Sequence, residues 1–299
     1  MTGSFGRPKG NDDTGTVRRW EEVVVPELPE VESVRRQLAP ELAGRRILDV
    51  WWDPHPQQRF HHVDAAVGRH VHDVLRRGKY LVLPLDDELE LILHLGMTGS
   101  FSFAVHEDPW RPQATTVSHV RACWHLDDGR DLRFRDPRRF GRISVVPAGD
   151  YELVPTLALL GPEPLSDDFD VDRFAAALAR SSAMVKALLL GQRLVAGVGN
   201  IYADEALWQA GIHPASRRVG SARAERLHAA IREVIAAAVE REGTTFRDYQ
   251  MVNGESGRYA EFLSAYGQAG LPCARCGTPM RKTVIAQRGT TYCPRCQRA

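Results

Sequence analysis

Four cysteines near the C-terminus, spaced C-x2-C-x16-C-x2-C, constrain this chain more than any other feature. Cys273 and Cys276 form one pair in CARC, and Cys293 and Cys296 the other in CPRC. Each pair puts two thiolates on one tight turn, and two such turns can close a tetrahedral shell around one ion. The residues between them have the length of a β-hairpin. We therefore expect one structural Zn2+ held by sulfur alone, with no open position for catalysis. A segment this short lacks a core, so the ion would supply folding energy. Two matched pairs argue against a redox dithiol, and the first 25 residues lack the apolar stretch of a signal peptide that would favour disulfides. Cys123, alone in an apolar strand, is expected in a core.

The overall charge of +1 names no partner, but its distribution does. From Tyr259 to Ala299 six basic residues face the single acid Glu261, and RFRDPRRFGR (Arg133–Arg142) holds five arginines against Asp136. Local basic patches on a near-neutral chain suit a surface that meets phosphate. Lysine is scarce: only Lys9, Lys79, Lys186 and Lys282 occur among 39 basic residues. This bias points to a GC-rich genome and draws attention to Lys79, which leads the apolar strand KYLVLPL. No apolar run is long enough to span a membrane, so a cytoplasmic protein is expected.

The organisation reads as α+β and multidomain. Residues 1–25 are polar, without periodicity, and are expected to be a disordered extension. PEVESVRRQLAPEL places Val31, Val34 and Leu38 at helical spacing behind Pro29. From about Arg45 to Val146 short alternating segments predict a β-sandwich, with Asp127–Gly129 as a hairpin turn. A proline-rich connection follows. Then come the helical patterns DRFAAALARSSAMVKALLLGQ, NIYADEALWQAGI and SARAERLHAAIREVIAAAVERE, with Asn200 and Ser221 as N-caps and Gly191 and Gly211 at helix ends. The expected divisions are a sandwich at 26–150, a linker at 151–165, a helical domain at 166–258 and a zinc-finger domain at 259–299.

PELPEVE, RRGKYL, HLGMTG, DPRRFG, GPEPL, GVGNIYADEAL and QRGTTYC within the cysteine module occur in the order and spacing of a known family. The chain resembles the bacterial formamidopyrimidine-DNA glycosylases from Pro26 to its C-terminus. The sister endonuclease VIII group shares the architecture but typically has glycine where this chain has Leu28, and Met97 and Phe140 also favour the purine-lesion branch. The resemblance implies an N-terminal β-sandwich flanked by helices, a helix-two-turn-helix domain and a zinc-finger β-hairpin, with double-stranded DNA carrying oxidised bases bound between them by a monomer.

What the resemblance implies for single residues has a chemical rationale. Pro26 would attack the deoxyribose C1′ through its own backbone nitrogen, followed by β- and δ-elimination. Only a free terminal proline is such a nucleophile, because within a chain the nitrogen is an amide. Val25 offers a resolution: a GTG codon reads as valine internally and as methionine when it initiates. Residues 1–24 are therefore expected to be a start-site artefact, with the initiator removed to expose Pro26. Glu27 would move protons at the sugar and Glu30 would support the pocket, although both also suit a helix N-terminus. Lys79 would contact phosphate and assist proton transfer, and Arg288 would stabilise departing phosphate. Met97, Arg138 and Phe140 would fill the gap left by an extruded nucleotide, two as apolar wedges and one reading the orphaned base. His94 and His119 would contact phosphate, with a core histidine as the alternative. Asn200 would present a helix N-terminus to phosphate, and Lys186 would add a phosphate contact or pack its stem between helices. MVNGESG matches the lesion-capping loop. The expected activity is that of a bifunctional glycosylase and AP lyase. The alternatives are an endonuclease VIII-like pyrimidine glycosylase or, if residues 1–25 persist, a non-catalytic zinc-finger lesion binder.

Overall fold

The computed structural model describes residues 25–55, 59–106, 118–244 and 257–299. The extension at 1–24 and the stretch 245–256, which holds all but the last residue of MVNGESG, lie outside the described residues.

Helix α1 (Leu28–Leu42) starts with Pro29 in its first turn, and the Glu30 carboxylate accepts the backbone N–H of Glu27 at 2.9 Å. This reciprocity between the cap and the third helical position satisfies a donor that the helix itself cannot. The expected stripe is real: Val31, Val34 and Leu38 are all buried, and Leu42 extends it.

Among the described residues nine strands follow: β1 (Ile47–Trp52), β2 (Arg59–His61), β3 (Leu75–Arg77), β4 (Tyr80–Leu85), β5 (Leu89–His94), β6 (Ser100–Val105), β7 (Val120–Leu126), β8 (Arg130–Arg135) and β9 (Arg142–Pro147). They form a four-stranded sheet, β1-β7-β8-β6, and a five-stranded sheet, β2-β9-β5-β4-β3. Alternation decides the faces. Ala122, Trp124 and Leu126 of β7 and Leu132 and Phe134 of β8 join Leu81, Leu83, Leu91 and Leu93 of the facing sheet and the stripe of α1 in one core. The β7–β8 hairpin turns at Asp127–Gly129 as expected, with Gly129 at φ +80°. Cys123 is buried, and burial pushes its thiol up to about 12.

The second half is helical: α2 (Pro155–Ala158), α3 (Val171–Ala179), α4 (Val185–Leu190), α5 (Asn200–Ala210) and α6 (Ser221–Glu240). DRFAAALARSSAMVKALLLGQ is two helices rather than one, broken between Arg180 and Met184. Ser181 competes for backbone hydrogen bonds there, its Oγ accepting the N–H of Ala183. Asn200 and Ser221 are first helical residues rather than caps, which are Gly199 and Gly220. Gly191 and Gly211 do end α4 and α5, the latter at φ +69°.

One residue of α1 belongs elsewhere. Leu28 packs in the helical core while its neighbours pack in the sandwich. Its N–H donates to Gly197 O at 3.1 Å, and a Cβ on Gly197 would lie 2.5 Å from the Leu28 side chain. The start of α1 is thus plugged into the helical half. A last hairpin, β10 (Arg281–Ile285) and β11 (Arg288–Tyr292), turns through Ala286 and Gln287, both with positive φ.

Candidate active site

The N-terminus of α5 forms the floor of the site. Its free backbone donors converge on one carboxylate: Glu27 accepts the N–H of Gly199 at 2.6 Å, of Ile201 at 2.8 Å and of Tyr202 at 3.4 Å. The helix dipole and these donors favour a negative charge, but Glu27 is 1% exposed, and burial outweighs them to raise its pKa, opposed by the charge of Lys79. Gly199 is required here. A Cβ at that position would lie 2.6 Å from Glu27 Oε1 and 2.5 Å from Lys79 Nζ. Carboxylate and ammonium therefore meet over the same glycine. Burial lowers the pKa of Lys79, the charges of Glu27 and Glu30 raise it, and Arg288 lowers it again. Pro26 is buried immediately before this carboxylate. The structure thus gathers Pro26, Glu27, Lys79 and Arg288, which the chain separates by up to 262 positions, around one helix end.

Glu30 stands one turn behind, fully buried. It accepts the Tyr202 hydroxyl at 2.5 Å and the Thr244 N–H at 2.6 Å. Burial and the neighbouring Glu27 push its pKa up to about 7. Tyr202 and Thr244 were not anticipated. A tyrosine following the asparagine in a helical pattern reads as core, and its hydroxyl contact spans 172 positions. Glu163 was also missed. It accepts the Gly78 N–H at 2.5 Å and Arg76 at 2.7 Å, so GPEPL braces the turn that carries Lys79.

The two expected wedge segments are tied together. Asp136 accepts Thr98 Oγ1 at 2.7 Å and the backbone N–H of Gly141 at 2.7 Å, while Arg138 N–H reaches Asp136 Oδ1 at 3.2 Å. Gly96, at φ +66°, approaches so closely that a Cβ would lie 2.5 Å from the Phe140 carbonyl carbon. Met97 and the Arg138–Phe140 loop are therefore one platform. Phe140 is 41% exposed, and the Arg138 guanidinium sits 5.0 Å from its ring centroid. An apolar ring held this far into solvent by a glycine-locked loop is not a core residue. Met97 is half-buried. His94, at the end of β5, accepts the Gly96 N–H through Nδ1 at 3.0 Å. Burial, with the charges of Lys79 and Arg142, lowers its pKa to about 3, so the ring is neutral with its proton on Nε2. His119 is exposed at φ +71°, and its carbonyl accepts Asp136 N–H at 3.0 Å.

Lys186 follows the packing alternative and not the phosphate one. Its Nζ is fully buried, 2.6 Å from Asp204, 2.8 Å from Thr290 Oγ1 and 3.3 Å from Gly289 O. An ammonium so enclosed has no surface to offer phosphate. It clamps β11 instead, aided by Asp204, which accepts Thr291 N–H at 2.9 Å, and by Asn200 Nδ2, which donates to Gly289 O at 3.1 Å. Burial raises the Asp204 carboxyl to about 7 against the pull of Lys186. The residue held by this clamp is Arg288, at the start of the same strand and exposed. The clamp partners on NIYADE carried one signal: two acids in mid-helix, Asp204 and Glu205, both buried. Glu205 accepts three successive N–H groups, from Ser264, Ala265 and Tyr266.

Beneath this hairpin the sulfur atoms of Cys273, Cys276, Cys293 and Cys296 lie within 4.8 Å of one another, with Cys276–Cys293 at 3.6 Å and Cys273–Cys296 at 4.0 Å. Zinc–sulfur bonds of about 2.3 Å in a tetrahedron require sulfurs about 3.8 Å apart, so the donor set fits the ion.

The profile of the Formamidopyrimidine-DNA glycosylase N-terminal domain matches residues 25–143, that of its H2TH domain residues 160–250, and that of a zinc finger found in FPG and IleRS residues 270–299. The Formamidopyrimidine-DNA glycosylase of Deinococcus radiodurans is 48% identical over 287 residues, covering 91% of this chain and 97% of that protein. The chain belongs to the formamidopyrimidine-DNA glycosylase family. The crystal structure of the MutM (FPG) protein from Thermus thermophilus superposes with a TM-score of 0.82 at 44% identity, covering 91% of this chain and 98% of that one. A Lactococcus lactis FPG variant, solved with a Fapy-dG-containing DNA, gives 0.82 at 34% identity, covering 92% and 100%. As a member of the formamidopyrimidine-DNA glycosylase family the chain is a DNA glycosylase for oxidised purines in base excision repair, with AP lyase activity. Its four clustered cysteines are the seat of one structural zinc. No helix among the described residues is long and apolar enough to cross a membrane.

Proposed function

We propose that this glycosylase excises 8-oxoguanine and formamidopyrimidines from duplex DNA by covalent catalysis at Pro26, in a chain whose active form begins at that residue. The free secondary amine attacks C1′ of an extruded nucleoside, the damaged base departs, and the opened sugar remains as an iminium ion. The cation acidifies the C2′ proton, so successive eliminations break the bonds to the 3′ and 5′ phosphates. Glu27, raised by burial and aimed by three N–H groups, gives and recovers the proton at the sugar oxygen. Lys79, lowered by burial and facing Glu27, exchanges protons with it. Arg288 stays charged and stabilises the departing phosphate.

Met97, Arg138 and Phe140 fill the vacated stack, with Arg138 turned to the orphaned base. The Nε2–H of neutral His94 and the exposed His119 take phosphates, whereas the N-terminus of α5 is committed to Glu27 and Asn200 serves by holding the hairpin through Gly289 O. Lys186 serves through the hairpin it clamps. The working unit is a cytoplasmic monomer, with a sandwich at 26–150, a linker at 151–165, a helix-two-turn-helix domain at 166–258 and a zinc finger at 259–299.

The observation that carries this reading is the meeting of Glu27 and Lys79 over Gly199, next to Pro26. Borohydride reduction with an 8-oxoguanine duplex tests it: protein verified to begin at Pro26 is expected to give a covalent adduct, and Pro26→Gly a much weaker one. No adduct from such a preparation would sink the mechanism, and an adduct only with oxidised pyrimidines would reassign the substrate.

A further inference from the structure

We infer that the outer face of the four-stranded sheet carries a second metal site, built from His106, His125 and Asp131, for one divalent first-row transition ion such as Zn2+, Co2+ or Ni2+.

Strand register creates it. His125 of β7 lies opposite Asp131 of β8, and Ala104 of β6 lies on the other side of Asp131. Inward positions on these strands belong to Trp124 and Leu132, so His125 and Asp131 point to the opposite face. His106 follows the end of β6, where its N–H donates to Gly129 O at 2.9 Å, and its ring returns over the same spot. The imidazoles stack with centroids 3.5 Å apart. Both Nδ1 atoms face one oxygen: His106 Nδ1 is 2.8 Å and His125 Nδ1 3.4 Å from Asp131 Oδ1. All three donor atoms lie within 4.8 Å of one another. Ligand bonds of about 2.0–2.2 Å at angles from right-angled to tetrahedral place neighbouring donors of one ion about 2.8–3.6 Å apart, which brackets the two nitrogen–oxygen distances here.

Two features set this cluster apart from an ordinary surface pair. Asp131 is 0% exposed although it sits on the outer face of the sheet; Arg133 pairs with its Oδ2 at 3.4 Å, while its Oδ1 faces the two histidines. Buried carboxylates require a counter-charge or a ligand. In addition, His125 Nδ1 is buried and makes no hydrogen bond among the described residues. A proton shared by His106 and Asp131 satisfies one ring nitrogen, whereas an ion satisfies both nitrogens and the oxygen together. Two imidazoles and one carboxylate suit zinc, cobalt and nickel better than magnesium or calcium, and leave a position for water. The contrast lies in the same domain: His70 and His72 take separate oxygens of Asp86, at 2.9 and 3.0 Å, and are 49% and 56% exposed. Those rings do not converge.

The site lies in the sheet that does not carry Lys79, so it is no part of the chemistry. It would tie the end of β6 to the β7–β8 hairpin. β6 starts just after the Met97 loop, and β8 leads into the Arg138 loop, so an ion there would stiffen the strands behind both wedges.

The test is titration of the full chain, its cysteine site already loaded with zinc, with Co2+. Calorimetry and visible absorption should report one equivalent bound with the weak bands of nitrogen and oxygen ligation. In the wild-type protein, the proton spectrum should gain two hyperfine-shifted imidazole N–H signals, a readout that needs no variant to fold. His106→Ala, at a strand end, and His125→Ala should each lose the equivalent, while His70→Ala keeps it. No uptake by the wild type, undiminished uptake in the His106 variant, loss on His70→Ala, or intense thiolate-to-cobalt charge transfer would overturn the proposal.

Discussion

In the β-sandwich, Trp124, Phe134, Leu81 and Leu93 meet between two sheets and helix α1, inside a core that belongs wholly to that domain. In the zinc hairpin the buried cluster is Ala265, Met280 and two cysteines, with Trp208 of α5 packed against it. The sandwich is held by apolar area. The hairpin is held by an ion and by polar groups borrowed from α4 and α5. A domain with its own core tolerates the loss of any one contact better than a module whose few fasteners are each indispensable. That difference matters because the hairpin carries Arg288, while the sandwich carries Lys79 and the wedges.

The largest break in this contrast is expected from removing zinc, by chelation or Cys276→Ser. The hairpin should lose its fold, as small zinc modules do, and incision of an 8-oxoguanine duplex should fall by about 100-fold or more. Amide exchange in β4, β5 and β7 should stay slow, and loss of protection there would show that the halves are not independent.

Next comes Phe134→Ala, which should cost about 3–5 kcal/mol in denaturant titration. The ring also fills the space against Gly99 and Gly141, where an added Cβ would lie 2.8 and 2.5 Å from it. The wedge platform should therefore loosen together with the core, and unchanged lesion selectivity would uncouple them.

Lys186→Met sharpens the contrast from the other side. It leaves Asp204 buried without its cation, a loss of about 3–5 kcal/mol at high pH. The carboxyl can escape by binding a proton, so the cost should shrink in acid. In the wild type, Asp204 is raised to about 7. Its contribution to stability is full below the unfolded value of about 4 and is lost as pH rises through about 7. Asp204→Asn should flatten that part of the stability–pH curve. A curve still as steep would mean that Glu30, also raised to about 7, dominates it.

The smallest effect is expected for Thr98→Val, which removes the hydrogen bond to Asp136 and an acceptor of the Arg138 N–H and should cost about 1–3 kcal/mol. Because the lost bond joins the two wedge loops, KM should rise more than kcat falls. Equal changes in both would place the bond outside lesion recognition.

Much of this was legible along the chain. The stripe of α1, the Asp127–Gly129 turn, the glycine ends of α4 and α5 and the cysteine module follow from periodicity, backbone freedom and ligand spacing, all of which act over a few residues. The errors are also local in cause. Asn200 and Ser221 were displaced from cap to first helical position because a glycine before each took the cap. One long helical pattern became α3 and α4 because Ser181 turned its side chain to the backbone. The two alternatives for Lys186 stayed open along the chain because no short window shows that its ammonium meets Asp204, 18 positions on, and Thr290, 104 positions on.

The residue types on which the proposed mechanism draws were set by the sequence alone: a proline that could be a terminal amine, a carboxylate beside it, a scarce lysine, a pair of glycine-flanked loops proposed as wedges and four thiols. Which of them stand together was decided only by tertiary structure. Helix α1 begins in one core and continues in the other, bringing Glu27 to the backbone donors of α5 and Lys79 to Glu27, while the buried Lys186–Asp204 pair of α4 and α5 seats the hairpin. Burial is the physical reason. It raises Glu27, Glu30 and Asp204 and lowers Lys79, and burial is a property of the packed molecule that no stretch of residues carries by itself.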